Sequence, residues 1–367
     1  MEKGKISSLQ MAIMLYPTIV ATAILGAPSI TAKYALNDLW LSPILAALIG
    51  YATVYIAYKL HKLYPKQTVI QFSEQIIGRI PGKILGFLYL FFYIPITGEI
   101  LRGYGDFIVD SFMVNTPIIV IMASMVILCA LIVRGGIEVL GRAAELFLPV
   151  FIFPICILII LLSADLDFKN IFPILGDGIM PPLKGAIIPG GWFSEFFLII
   201  FLLPFLSDMK KGMKYGMVTV FAVMMTLVMV NLIVLFVLGP STSSKVYPLM
   251  NVARYISFGD FFEHLESAVM AIWVVGAFVK ISVFYYAAAL STAQWLNLSD
   301  YRPVVWPLGI LIVEFSFWSF PSSMEVSRYD IIAFPFHGIL MQTIIPLLLL
   351  VIAFVRKRNK GTKNPLN

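Results

Sequence analysis

Charged residues are scarce in this chain. Only 13% of its 367 residues are Asp, Glu, Lys or Arg, whereas 60% are hydrophobic. A soluble domain carries about twice this share of charge, and the mean hydropathy of +0.93 is typical of a membrane protein. The composition therefore excludes a large soluble protein.

Residues that build metal sites and nucleophilic sites are also few. The two cysteines, Cys129 and Cys156, lie in apolar runs and are predicted to be small buried hydrophobes, not a disulfide or a metal site. His61, His264 and His337 have a spacing that suits no metal. The sequence shows no Ser/His/Asp or Cys/His set and no nucleotide-binding loop, so we expect neither enzymatic activity nor a cofactor.

Long apolar runs dominate the sequence. Each has roughly the 17–25 residues that a membrane-spanning helix needs, and none alternates like a barrel strand, so an all-α integral membrane fold is predicted. The ten predicted spans are 9–35, 39–58, 83–110, 117–133, 140–163, 186–207, 215–239, 266–291, 303–320 and 335–355. Together they predict one transmembrane domain over residues 1–355, followed by a short basic tail at 356–367.

Basic residues concentrate at alternate ends of these spans. Eighteen Lys and Arg fall on the side that carries both termini, and six fall on the other side. The positive-inside rule therefore places both termini in the cytoplasm. The net charge of +6 is then explained by contact with anionic lipid, and no nucleic-acid partner is expected.

Three connections are longer than tight turns. Residues 64–82 alternate apolar and polar side chains in a way that predicts a short cytoplasmic surface helix. Residues 164–185 and 240–265 are predicted to lie outside, and 249–262 to form a second surface helix.

Two spans contain helix-breaking residues at corresponding places. The first span carries Leu25-Gly26-Ala27-Pro28-Ser29 and the sixth carries Pro189-Gly190-Gly191-Trp192. Because the two lie five spans apart, they predict a transporter built from two inverted five-helix halves, about 1–163 and 164–355, with helices 1 and 6 broken at a binding site. The alternative is that these glycines allow close helix packing.

Broken helices would expose backbone N–H groups on one side and carbonyl groups on the other. Such a dipolar pocket matches a zwitterionic α-amino acid. The predicted ligand-binding residues are Gly26, Ala27, Pro28, Gly190, Gly191, Trp192, Glu195 and Tyr286.

The number of spans and the paired breaks resemble the amino acid–polyamine–organocation superfamily with the LeuT-type fold. Ile6-Ser7-Ser8-Leu9-Gln10, Ile24-Leu25-Gly26-Ala27, Gly190-Gly191-Trp192 and Gln71-Phe72-Ser73-Glu74 more closely resemble the GerAB-type subunit of bacterial spore germinant receptors. The resemblance implies a nutrient-sensing subunit in the spore inner membrane, with A-type and C-type receptor subunits as partners. An amino-acid permease coupled to H⁺ or Na⁺ and a non-transporting scaffold remain alternatives.

Charges inside the spans are candidates for function, because burying them in the membrane is costly. Glu99, Arg102 and Asp106 share one face of the third span, where they either neutralise one another or line a pocket or water path. Glu195 follows the sixth-span break and either holds a ligand ammonium or pairs with a cation. Lys280, in the eighth span, either pairs with Glu195 or Glu99 or, as the resembled fold implies, replaces a sodium ion.

Overall fold

The computed structural model describes residues 2–162, 166–255 and 266–362. α-Helices account for most of them, joined by short 3₁₀ and π turns. In chain order the helices are α1 (Ser8–Ala35), α2 (Leu41–Leu63), α3 (Val69–Ile77), α4 (Arg79–Ser111), α5 (Ile118–Gly135), α6 (Ile137–Leu161), α7 (Met180–Gly185), α8 (Ile187–Ser194), α9 (Ile199–Leu202), α10 (Met209–Leu238), α11 (Pro248–Tyr255), α12 (Glu266–Trp295), α13 (Arg302–Trp318), α14 (Ser323–Arg328), α15 (Phe334–Ile339) and α16 (Ile345–Thr362).

Within the described residues, nine helical segments are long and apolar enough to cross a membrane. They correspond to nine of the ten predicted spans, with α7–α9 forming the sixth and α14–α16 the tenth. The predicted ninth span is α13, whose 17 residues extend about 26 Å, a little less than the hydrocarbon thickness. The tenth span begins at Ser323, twelve residues before the predicted start.

The helices run alternately between two faces of the bundle. We call the face where α1 begins the terminal face, and the face where α1 ends the opposite face. On the terminal face Ile6 pairs with Leu206 at the end of the sixth span, and Lys83 at the start of α4 binds the carbonyl of Trp295 at the end of α12. Each contact joins the start of one span to the end of another, so the chain crosses an even number of times between the two residues. This agrees with the predicted alternation of the spans.

The centre of the bundle is formed by α1, α4 and α12. Helix α1 packs against α6, α10 and α12, and α4 packs against α12 and α13. Helix α1 begins with a capping box, in which the Ser7 hydroxyl accepts from the Gln10 N–H and the Gln10 side chain accepts from the Ser7 N–H. Lipid-facing helices such as α5 leave large apolar side chains exposed, as a bilayer permits.

The predicted break in the first span is not present. Helix α1 continues through Gly26 and Pro28 to Ala35, and the Thr31 hydroxyl donates to the Ala27 carbonyl at 2.6 Å. Pro28 lacks the N–H that would donate to the Ile24 carbonyl, a loss that transmembrane helices tolerate where neighbouring groups compensate for it. No half-helix N-terminus therefore exists at this position.

The sixth span is interrupted on both sides of the predicted residues, between α7 and α8 and again after α8. Pro189, Gly190 and Trp192 lie inside α8, and the helix gives way to a 3₁₀ turn at Glu195–Leu198. Glu195, the charged residue of this span, is thus the first residue of the 3₁₀ turn.

Two of the surface predictions fall in described segments. The predicted helix within 64–82 is α3, which begins with Thr68 as its N-cap. The predicted helix at 249–262 is α11 as far as Tyr255, and 256–262 lie outside the described residues. Helix α16 extends to Thr362, so the first residues of the predicted basic tail are helical.

Candidate functional site

A cavity of about 500 Å³ lies in the middle of the bundle and reaches the opposite face. Helices α1, α4, α8 and α12 and the segment from α14 to α15 form its walls. Lys33 at the end of α1, Asp110 near the end of α4 and the stretch Ser243–Tyr247 surround its mouth.

Lys280 and Glu195 form an ion pair at the bottom of this cavity. The Lys280 Nζ lies 2.9 and 2.7 Å from the two Glu195 carboxylate oxygens and 2.7 Å from the Thr22 Oγ1. The side chains of the pair are only 1% and 2% exposed. An ammonium has three N–H donors, and these three contacts use all of them.

A second group of acidic side chains is formed by Glu99 and Asp330, which both line the cavity. Glu99 is buried in α4, whereas the partly buried Asp330 lies in a π turn, Tyr329–Ala333. Single π turns inside helices are frequent at functional sites, and this one carries its carboxyl group into the cavity wall.

Arg102 does not join the two carboxylates of its own helix. Its Nε lies 3.0 and 3.2 Å from the Asp106 oxygens, and its guanidinium also donates to the Pro321 carbonyl at 3.3 Å. Arg102 thus pairs with Asp106 alone of the two, while Glu99 lines the cavity with Asp330.

The terminal face is closed by the first residues of the chain. The Glu2 carboxylate accepts hydrogen bonds from the N–H groups of Gly4 and Ile137 and from the Tyr301 hydroxyl. The Ile6 N–H donates to the Phe205 carbonyl, and the Asp208 carboxylate accepts from the Ser8 N–H. The lining of the cavity described above includes none of these groups.

The sequence matches a family model described as "Spore germination protein" over residues 5–323. The chain belongs to the spore germination protein family. It is 26% identical to "Spore germination protein KB" of Bacillus subtilis (strain 168) over 98% of this chain and 97% of that protein. It is also 26% identical to "Spore germination protein YndE" of the same organism over 97% of this chain and 98% of that protein. The resemblance to B-type germinant receptor proteins is confirmed.

Solved transporters share the fold of this germination protein. MhsT in complex with L-phenylalanine superposes with a TM-score of 0.65 at 15% identity, over 96% of this chain and 99% of that one. A Na⁺-coupled sialic acid symporter superposes with a TM-score of 0.66 at 13% identity, over 92% of this chain and 79% of that one. The all-α LeuT-type fold predicted from the sequence is therefore confirmed, in a family that is permease-like or receptor-like.

Several of the predicted site residues meet in the cavity of this germination protein. Besides the charged groups above, Gly26 and Trp192 line it. Gly190 and Gly191 do not line it and instead allow close packing: a Cβ on Gly190 would lie 2.7 Å from the Ile49 Cδ1, and one on Gly191 would lie 2.9 Å from the Pro335 Cα. For these two glycines, the close-packing alternative fits the structure.

Three other predicted residues lie outside the cavity lining. Ala27 and Pro28 are buried in α1 away from it. Tyr286 is fully buried about two turns beyond Lys280, toward the terminal face, where its ring packs edge-on against Tyr301 at 5.5 Å. A ligand in this cavity would not contact any of them.

Sequence reasoning missed Asp330 and Thr22. Asp330 stands as a lone carboxylate at the edge of the apolar stretch Ile331–Ala333. A tenth span begun before Pro335 would have placed this carboxylate inside the membrane and marked it as a candidate. The role of Thr22 carries no comparable sequence signal, because hydroxyl residues are common in transmembrane helices.

Proposed function

We propose that this chain is the nutrient-sensing B-type subunit of a spore germinant receptor and binds an amino acid in the central cavity. The observation that carries this proposal is a cavity of about 500 Å³ with buried charges of both signs at its depth, in a member of the germination family. Pockets of this size accommodate small molecules, and a few convergent polar groups fix their orientation. Gly26, Trp192 and Glu195 are the predicted ligand-binding residues that remain in this proposal. Glu99, predicted as part of the charge network in the third span, is added to them because it lines the cavity.

The receptor would act in the spore inner membrane, with both termini in the cytoplasm and with A-type and C-type subunits as partners. The cavity then opens away from the cytoplasm, where an external nutrient can reach it. Ligand binding at its depth would alter the packing of α1, α4 and α12, and the partner subunits would sense that change.

A larger side chain in place of Gly26 would fill part of the cavity without disturbing α1. A Cβ added there meets only the Ile30 Cδ1, at 3.4 Å, which is ordinary contact. Gly26→Leu should abolish the germination response of spores to a mixture of the twenty standard L-amino acids, while Gly26→Ala should retain it. Immunoblots would check that both proteins insert equally. A normal response of the Leu variant would exclude this cavity as the nutrient site and favour a scaffold role.

Lys280 bridges α12, the Thr22 hydroxyl of α1 and Glu195, and we propose that its ammonium replaces a coupling cation. The response to amino acids should then be unchanged when Na⁺ is replaced by K⁺ or choline. A strict requirement for Na⁺ would contradict this role and favour a sodium-coupled permease.

A further inference from the structure

Helix α13 carries a carboxylate on the face that it turns away from the bundle. The exposed residues of this helix recur every three or four positions and therefore form one stripe, which we call the outer stripe. They are Pro303, Trp306, Pro307, Ile310, Leu311, Glu314 and Trp318. Glu314 lies between Ile310 and Trp318, which are 73% and 74% exposed. In a membrane, acyl chains would surround this carboxylate unless another molecule covers it.

The depth of Glu314 in the membrane follows from the two tryptophans of the outer stripe. Tryptophan is enriched at the two membrane–water interfaces, and Trp306 and Trp318 are about 18 Å apart along α13. Glu314 lies between them, about 6 Å inward from Trp318. Because side chains of a helix tilt toward its N-terminus, the Glu314 carboxylate points away from the nearer interface and into the hydrocarbon.

No cation of this chain neutralises Glu314 in the part of the chain that the structure describes, where its carboxylate has neither an ion pair nor a hydrogen bond. Helix α13 packs on α4, α5 and α12. Away from the terminal face, the cations of those helices are Arg102 and Lys280, and each pairs with a different carboxylate. Charged side chains in transmembrane segments almost always face the bundle interior or pair with another charge. Glu314 does neither among the described residues, so its partner is expected on another molecule.

We infer that the outer stripe binds a membrane-spanning helix of another protein, and that a Lys or Arg of that helix pairs with Glu314. Opposite charge is what this carboxylate lacks in the described part of the chain. A second copy docked stripe to stripe about a two-fold axis would place Glu314 against Glu314, and like charges repel each other. The outer stripe lies outside the cavity, so this inference goes beyond the proposed function and does not depend on nutrient binding.

The surroundings of Glu314 suit a docked helix. The Trp318 ring packs on Phe315 at 5.7 Å, and Phe315 packs edge-on against Phe91 of α4 at 6.2 Å. Phe91 is itself 57% exposed, so the apolar surface of the outer stripe continues onto α4. A helix along this surface would replace acyl chains with its own apolar side chains. Its Lys or Arg would lie about one turn inside the membrane from the opposite face.

The test uses the full chain in membranes of the producing organism, with the photoreactive amino acid p-benzoylphenylalanine in place of Ile310. Irradiation should yield a protein adduct, and mass spectrometry of the attached peptide should identify a membrane-spanning helix with Lys or Arg about one turn from its end at the opposite face. The same probe in place of Phe221 is the control, because Phe221 is 50% exposed on α10, which packs on α1 and α2. It should not yield this adduct.

The charge of Glu314 is tested with the probe kept at position 310. Glu314→Gln should lower the yield of the adduct about 3–10-fold, because a polar contact between helices is lost in the membrane. Glu314→Lys should abolish the adduct, and a Glu in place of the partner's cation should restore it. Glu145→Gln, which removes another exposed carboxylate on α6, should leave the yield unchanged.

Four results would overturn the inference. They are adducts with lipid alone, an adduct with a second copy of this chain, an adduct with a helix that has no Lys or Arg near the required depth, and an unchanged yield from Glu314→Gln. Restoration by the exchanged charges separates an ion pair from a misfolded Glu314→Lys variant, because a misfolded chain would not recover its adduct.

Discussion

Lys280 and Glu195 are ion-paired where neither side chain contacts bulk water. Removing charges from water is costly, and their attraction offsets that cost only while both partners are present. Sequence reasoning identified both residues and included their pairing as one of two alternatives, because each is a lone charge in an apolar span. It did not identify Thr22, which holds the ammonium from the side of α1.

Lys280→Met should lower the free energy of unfolding by about 3–5 kcal/mol, because it leaves the Glu195 carboxylate buried without a partner. The double variant Lys280→Met with Glu195→Gln should recover most of this loss, since no uncompensated charge remains. Denaturant unfolding of the wild type and the two variants in one detergent measures both effects. A double variant less stable than Lys280→Met alone would show that the two side chains do not interact as a pair.

Helices α1 and α12 approach each other closely because glycine lies at their contact. A Cβ on Gly276 would lie 2.6 Å from the Ala21 Cβ of α1 and 2.6 Å from the Phe151 Cε2 of α6. Membrane helices without a hydrophobic driving force between them depend on such close contacts. The sequence located the glycines of the first and sixth spans but assigned Gly190 and Gly191 to a ligand site, because a packing glycine and a helix-breaking glycine look alike in sequence.

Gly276→Ala should therefore destabilise the bundle by about 1–3 kcal/mol, the usual cost of overfilling a packed interior. Gly26→Ala is the control, because its new methyl group meets only the end of a flexible side chain. Thermal unfolding of the two proteins in the same detergent compares the substitutions. Equal stability of the two variants would mean that α12 can shift away from α1 at little cost.

At the scale of the whole molecule, the cavity reaches one face while the N-terminal residues close the other. Glu2 is central to that closure. Burial alone would raise the pKa of Glu2, but hydrogen bonds from Gly4, Ile137, Tyr301 and Lys3 outweigh burial and hold this pKa below its ordinary value. The Ser8 hydrogen bonds similarly outweigh desolvation and lower the pKa of Asp208. Both carboxylates, when ionised, thus stabilise the contacts that close the terminal face.

Because the pKa of Glu2 is lower in the folded protein than in the unfolded chain, its stabilising effect is fully present above the ordinary Glu pKa of about 4.3 and is lost as pH falls through the lowered value. Glu2→Gln should be less stable than the wild type by about 1 kcal/mol at neutral pH, with partial exposure taken into account. That difference should shrink below about pH 4. Asp177→Asn, in an exposed loop on the opposite face, should match the wild type throughout.

The thermal stability of the three proteins between pH 3 and 8 measures this effect. A difference between Glu2→Gln and the wild type that persists undiminished at pH 3 would show that the Glu2 charge is not what closes the terminal face.

The sequence by itself determined the membrane location of this chain, its helical class, the alternation of its spans and its fold family. These follow from apolar run length, from the requirement that backbone groups in lipid bond within their own helix, and from the placement of Lys and Arg. Only the tertiary structure decided which residues form the site. Asp330 and Glu99 line one cavity although 231 positions of sequence separate them. Helix α1 remains continuous where glycine and proline predicted a break. Gly190 packs closely against Ile49, whereas Gly26 lines the cavity. Composition and periodicity act along one helix, whereas a binding site depends on which faces of distant helices meet.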